Sequence, residues 1–193
     1  VEKLSALSPE EIKNNVPADR LRVMQIIPLA MVAGTLMFLG VCMVLDNLAG
    51  SAGPDSPRLP DDLRIMAMLV APVALGCYGA AFFLPRLLTN PSVLKNQAAA
   101  AGADVDPVAW SLEKLLQKRI IVAAMLEAPA LFGLVVLMLA VMKRHIAGHP
   151  ELWLAVAPLA IQVVATLITF PSREKAADEI RTSIVEPLRS GSG

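Results

Sequence analysis

The stretch IIVAAMLEAPALFGLVVLMLAVM, Ile120 to Met142, decides the fold of this chain. Its one charged residue is Glu127, and every other position is apolar or small. At ~1.5 Å of rise per residue, a helix of this length crosses a hydrocarbon core of ~30 Å. The run lacks the period-2 alternation of a barrel strand and is about twice as long as one. We therefore predict a membrane-spanning helix that contains a carboxylate.

The composition of the whole chain indicates the same environment. Hydrophobic residues make up 55%, charged residues make up 18%, and the mean hydropathy is +0.60. These values are typical of a membrane protein. We predict an all-α, polytopic four-helix membrane bundle with spans 23–45, 65–84, 120–142 and 152–170.

The distribution of basic residues predicts the orientation, because lysine and arginine are retained on the cytoplasmic side. Thirteen of the 17 lie before the first span, in the loop 86–119 or after the fourth span. The other two loops hold Arg58, Arg64, Lys143 and Arg144. We therefore expect a multi-pass protein of the inner (plasma) membrane with both termini in the cytoplasm. The net charge of +0 argues against nucleic acid as a partner.

The segments outside the spans carry helix-start signals. Ser8-Pro9-Glu10-Glu11, in the N-terminal segment 1–22, is a capping box with proline at the first helical position. Asn90-Pro91 opens a second helix, which Gly102 can close. Asp106-Pro107 opens a third, which we expect to run unbroken into the span 120–142.

The tail 171–189 is amphipathic. Ala176, Ile180 and Ile184 recur at helical spacing, as in a helix that lies on a membrane surface or on other parts of the protein. The last four residues, SGSG at 190–193, are typical of a cloning remnant and are set aside.

Proline occurs inside every span, at Pro28, Pro72, Pro129 and Pro158, and proline kinks a membrane helix. The second and fourth spans also share a motif, VAP from Val70 and from Val156, with a second proline thirteen residues after the first. This echo is consistent with a duplicated helical hairpin or with independent proline placement.

The surroundings of Glu127 can be estimated by counting residues from the midpoint of each span. Tyr78 on the second span and Thr166 on the fourth lie within about 2 Å of its depth. Gln162, Thr166 and Thr169 form one polar stripe on the fourth helix, which we expect to face Glu127. Glu127, Tyr78, Gln162 and Thr166 are therefore the candidate ion-binding residues.

A charged carboxylate at this depth costs at least ~2.5 kcal/mol, and Arg119 is ~12 Å away along the helix. Desolvation therefore favours the neutral, hydrogen-bonded form of Glu127. Such a group suits a proton or cation carrier, and it equally suits a static hydrogen bond between helices. The sequence leaves both open.

The segment KRIIVAAMLEAPALFGLVVLML, Lys118 to Leu139, resembles the C-terminal helix of the rotor-ring c subunit of rotary ATP synthases. Glu127 falls at the position of the ion-carrying carboxylate of that family. The resemblance covers one helix in four, and the second span has only Gly76 and Gly79 where the family has a glycine-rich run. It implies an ion-translocating membrane component.

No phosphate loop, CxxC pair or serine elbow occurs, so we expect no enzymatic activity and no cofactor. His145, His149 and Glu151 are a weak alternative for a metal, and we assign no metal site. Besides the lipid bilayer, we expect a second copy of the chain or a membrane-complex partner. An assembly or scaffold protein is the rival function, and an intramembrane enzyme or quinone-binding protein is a third.

Overall fold

The computed structural model describes residues 9–49, 58–101 and 106–186. These residues form helices with short connections and contain no strand, which confirms the all-α prediction. In chain order the elements are α1 (Pro9–Asn15), α2 (Ala18–Ala49), α3 (Asp61–Leu88), α4 (Pro91–Ala101), α5 (Pro107–Met142), a 3-10 segment (Pro150–Val156), α6 (Ala157–Ile168), α7 (Arg173–Ile180) and a π-helical turn (Arg181–Val185).

Four helical stretches are long and apolar enough to cross a membrane, as predicted: Ala18–Leu48, Asp61–Leu88, Val108–Met142 and Pro150–Ile168. The last is the 3-10 segment followed by α6, and we call it the fourth span. It ends two residues before the predicted Phe170. The reason is local, because Phe170 precedes Pro171, and a residue before proline is disfavoured in helical conformation.

The internal prolines do not interrupt the helical assignment of α2, α3 or α5. The shared VAP motif has two different local structures. Val70 to Pro72 lies inside α3, whereas Val156 to Pro158 lies where the 3-10 segment becomes α6. The echo is therefore not repeated in the local backbone, and duplication of a hairpin stays a prediction.

The chain divides into two compact units. The bundle unit comprises the described residues of 29–81 and 123–168, and the terminal unit comprises those of 1–28, 82–122 and 169–193.

All four spans contribute to the core of the bundle unit. Cys42 of α2, Val70 of α3, Leu134 and Leu137 of α5 and Leu159 of α6 are buried in one cluster. Large apolar side chains such as Met37, Leu75 and Leu167 remain exposed on the same spans. An exposed apolar surface of this kind requires lipid or another apolar partner.

Gly133 provides the closest helix approach in the bundle unit. A Cβ atom at this position would overlap the backbone carbonyl of Ala155, in the 3-10 segment. Glycine is therefore required by packing here. Small residues at helix interfaces serve this purpose in membrane bundles.

Helix α5 ends in a Schellman motif. The amide of Arg144 donates to the carbonyl of Val141 at 2.9 Å, and the amide of His145 donates to that of Ala140 at 2.9 Å. Arg144 has φ 57°, the left-handed conformation that glycine more often provides at this position.

Helices α4 and α5 begin at the predicted caps. The side chain of Asn90 accepts from the amide of Ser92 at 3.1 Å, and that of Asp106 accepts from the amide of Val108 at 2.9 Å. Helix α5 continues from there without a break, as predicted. Ser8 and Gly102, the other predicted cap residues, lie outside the described residues.

The tail helix packs on other helices of the terminal unit. Ala176 and Ile180 share a core with Ile12 of α1 and Leu112 of α5. Ile184, in the π-helical turn, packs in a second cluster with Leu94 of α4 and Trp110. The apolar face that the sequence shows is thus buried within the protein.

Candidate functional site

A buried polar contact between two side chains of the bundle unit joins α2 to α6. The hydroxyl oxygen of Thr35 lies 3.3 Å from the side-chain oxygen of Gln162, and the two residues are 0% and 2% exposed. The hydroxyl also lies 2.9 Å from the carbonyl of Val32. The carbonyl of Met31 lies 3.2 Å from it. Since a hydroxyl has one hydrogen, it donates either to Gln162 or to a backbone carbonyl of its own helix. In the second case the Gln162 amide, turned over, donates to Thr35.

Sequence reasoning missed Thr35, although a signal was present. Thr35 and Gln162 each lie one residue past the midpoint of their predicted spans, so their depths differ by ~3 Å. Depth therefore places Thr35 and Gln162 in nearly the same layer of the bundle, but the rotation of the two helices decides whether they meet.

Glu127 lies on α5 and is half-buried. In the part of the chain that the structure describes, its carboxyl has no hydrogen bond and no ion pair. Gln162 is directed to Thr35, and no described hydrogen bond joins Glu127 to Tyr78, Gln162 or Thr166. The predicted shell around Glu127 therefore stays a prediction.

Tyr78 and Thr166 are both half-buried. The hydroxyl of Tyr78 is buried and has no hydrogen-bond partner among the described residues. Thr166 lies one helical turn after Gln162 on α6. Neither hydroxyl has a hydrogen bond within the described residues, so each has capacity that a bound ion, water or second chain can satisfy.

An open groove of ≈ 1080 Å³ lies along α3 and the fourth span. Its walls are mainly small and apolar, including Ala67, Ala71, Ala74, Ala155 and Pro158, and Tyr78 is the lining residue furthest along α3. Charged side chains lie at the opposite end, together with one histidine: Arg58, Asp61, Arg64, Glu151 and His149. The groove is therefore apolar along most of its length and charged at one end.

The two histidines of the loop after α5 do not complete a metal site. His149 pairs with Glu151 through Nδ1 and Oε1 at 2.9 Å, and the ring of His145 lies 6.2 Å from that of His149. His145 is buried, and its Nδ1 has no partner among the described residues. Over those residues, no group of three or more His, Cys, Asp or Glu side chains can hold a metal ion.

A cluster of ion pairs in the terminal unit joins the tail helix α7 to α5. Glu179 of α7 accepts from Lys118 at 2.9 Å and from Arg119 at 2.6 Å, both on α5. Arg119 also donates to the carbonyl of Thr169 at 3.1 Å. Burial alone would raise the pKa of Glu179, but the two cations outweigh it and lower this pKa below its ordinary value. The cluster holds α7 on α5 by charge as well as by apolar contact.

The sequence contained part of the signal for this cluster. Lys118 and Arg119 are adjacent basic residues on one side of the third span, and Glu179 lies on the amphipathic tail. The pairing depends on where the tail packs, which the sequence pattern leaves open.

No protein-family model, curated protein or solved structure matches this chain.

Proposed function

We propose that this chain is a proton- or cation-translocating component of a bacterial-type inner membrane, in which Glu127 is the exchanging group. The observation that supports this proposal is the carboxyl of Glu127, which has no partner within the described residues. A static role for Glu127 would require a hydrogen-bonding group on a neighbouring helix. In the bundle unit, the Thr35–Gln162 pair makes such an interhelical bond instead.

The chemistry of exchange follows from the apolar environment. An ionised carboxylate near the centre of a bilayer costs at least ~2.5 kcal/mol, so passage of Glu127 through lipid requires that it carry a proton or a cation. A neutral carboxyl without a fixed partner gives up its proton when water or a basic group reaches it. It then regains a proton, or takes a cation, before it returns to lipid.

The half-buried state of Glu127 also favours an oligomer. A second copy of the chain, or another membrane subunit, would cover the exposed part of this side chain. In the c-subunit family, which α5 resembles, the ion-carrying carboxylate works within a ring of copies. Tyr78 and Thr166, with their unused hydrogen-bonding groups, are our proposed companions of Glu127 in such an assembly, with Gln162 as a third.

The proposed activity involves no catalysis and no cofactor. The basic residues before the first span, in the loop 86–119 and in the tail support an orientation with both termini in the cytoplasm. The terminal unit would then lie on the cytoplasmic side.

An assembly or scaffold protein is the second candidate. It is favoured by the terminal unit, whose tail is held by its own apolar core and by Glu179, Lys118 and Arg119. A preformed helical surface of this kind suits recruitment of a partner, and Glu127 would then be a structural contact. Capture of a membrane-complex subunit by the intact protein, lost when the tail is released, would favour this function.

The test of the first candidate is modification by an apolar carbodiimide, which reacts with protonated carboxyls from within the membrane. We expect labelling of the wild-type protein at Glu127, fading as the pH rises and the carboxyl ionises. Glu127→Gln should abolish labelling, whereas the control Asp46→Asn should leave it unchanged. An unreactive Glu127 in the folded protein at every pH would contradict the proposal.

A further inference from the structure

We propose that the groove along α3 and the fourth span binds one zwitterionic phospholipid with an ammonium headgroup, of the phosphatidylethanolamine type. This proposal does not rest on Glu127 or on ion translocation, and the groove shares only Tyr78 with the candidate ion site. The groove has an apolar length, a charged end and an open side, and these three features match the parts of such a lipid.

The apolar part of the groove matches one acyl chain. From Ala67 to Tyr78, helix α3 rises about 16 Å at the usual increment per residue. This is the depth of one leaflet, half of a hydrocarbon core of ~30 Å. The alanines of α3 and of the fourth span leave the space that the chain would fill, and Leu75 and Leu154 flank it.

The charged end of the groove contains both signs of charge. Arg64 and Asp61 line it from the first turn of α3, and in the described residues neither side chain has an ion pair or hydrogen bond. A guanidinium binds a lipid phosphate well, and a carboxylate binds a primary ammonium. A purely anionic headgroup would satisfy Arg64 but would place negative charge beside Asp61 and Glu151.

His149 and Glu151 form the opposite side of the charged end and bind each other at 2.9 Å. Arg58 also has an interaction of its own. These contacts leave Arg64 and Asp61 as the groups that choose the headgroup. At the other end, an acyl chain offers no hydrogen bond to the Tyr78 hydroxyl. A ligand with a polar head deep in the membrane, such as a quinone, would offer one.

The experiment uses the whole protein purified in detergent. It is mixed with equal amounts of phosphatidylethanolamine and phosphatidylglycerol of identical acyl chains, and native mass spectrometry counts the lipid retained. We expect about fivefold more phosphatidylethanolamine, the ratio for one net charge contact. Equal retention, or a preference for phosphatidylglycerol, would overturn the proposal without bearing on Glu127.

Two matched pairs of variants locate the lipid. Ala71→Phe fills the groove and should abolish retention, whereas Ala33→Phe, an exposed position on α2 outside the groove, should not. Asp61→Asn should remove the headgroup preference, whereas Arg144→Gln, outside the groove, should keep it. Unchanged retention in Ala71→Phe contradicts the proposal. Loss of retention in Tyr78→Phe also contradicts it, because the ligand would then require the tyrosine hydroxyl.

Discussion

Thr35 of α2 and Gln162 of α6 form a hydrogen-bonded contact of 3.3 Å between two side chains that are almost completely buried. In an apolar bundle, such a contact fixes the rotation of both helices, because apolar faces alone discriminate poorly between orientations. It also gives the side-chain oxygen of Gln162, a predicted companion of Glu127, a partner on α2.

The first prediction concerns this contact. Thr35→Val should lower the free energy of unfolding by about 1 kcal/mol, because it leaves the Gln162 amide buried without its partner. Thr35→Val combined with Gln162→Leu should cost less than the sum of the two single changes. Thermal unfolding in detergent measures this coupling. Strict additivity would show that the two side chains do not interact.

The second prediction concerns Gly133. Gly133→Ala places a methyl group against the carbonyl of Ala155, so the two backbones must separate, at a cost of about 1–3 kcal/mol. Gly40→Ala on α2 is the matched control, since nothing lies within 4 Å of the added carbon. That control should be neutral or stabilising by up to ~1 kcal/mol, because alanine favours helix over glycine. Similar unfolding temperatures for the two variants would contradict the close approach.

Much of this architecture can be predicted from sequence, for physical reasons that differ between elements. The four spans are predictable because a long apolar run has few other stable environments, and the caps at Asn90 and Asp106 because a cap is a local contact. The 3-10 start of the fourth span and the Thr35–Gln162 contact were missed. Both depend on helix rotation and packing, which nearly uniform apolar helices do not encode as a pattern.

The candidate site was predictable only in part. Glu127 is conspicuous as a carboxylate in an apolar run, but its unpartnered state in the described residues requires the positions of neighbouring side chains. The apolar face of the tail was visible in Ala176, Ile180 and Ile184. Its packing partner depended on α1, α4 and α5, which are distant in sequence.

The third prediction concerns pH and the tail. The pKa of Glu179 is lowered from its ordinary value of 4.5, so its ion pairs stabilise the folded protein at pH values above 4.5. This stability should be lost as the pH falls from there through the lower pKa of the folded state. Limited proteolysis should therefore show release of the tail in acid. Glu179→Gln should release it already at neutral pH, at a cost of about 1 kcal/mol, and remove the acid dependence.

Glu113→Gln is the control for this measurement, because Glu113 is exposed on α5 and has no ion pair within the described residues. In this variant, proteolysis should show release of the tail over the same pH range as in the wild type. An unchanged profile in Glu179→Gln would show that the Lys118 and Arg119 contacts do not hold the tail.

The fourth prediction concerns the apolar side of the same helix. Ile180 and Ile184 are 0% and 2% exposed, in separate clusters. Replacing both by Asp should release the tail, because two buried apolar contacts become charges. Faster tryptic cleavage in the tail is the expected result, and Thr182→Asp, at an exposed position, should have little effect. Equal protection in both variants would mean that the tail is held without its apolar face.

The most direct test of the proposed function is proton or cation flux through protein reconstituted in liposomes, compared between wild type and Glu127→Gln. The variant keeps the volume and hydrogen bonding of the side chain but cannot exchange a proton. We expect flux in the wild type, none in Glu127→Gln, and closely similar unfolding temperatures. Flux that survives in Glu127→Gln, or a wild type without flux in any assembly, would contradict the account and make Glu127 a structural contact.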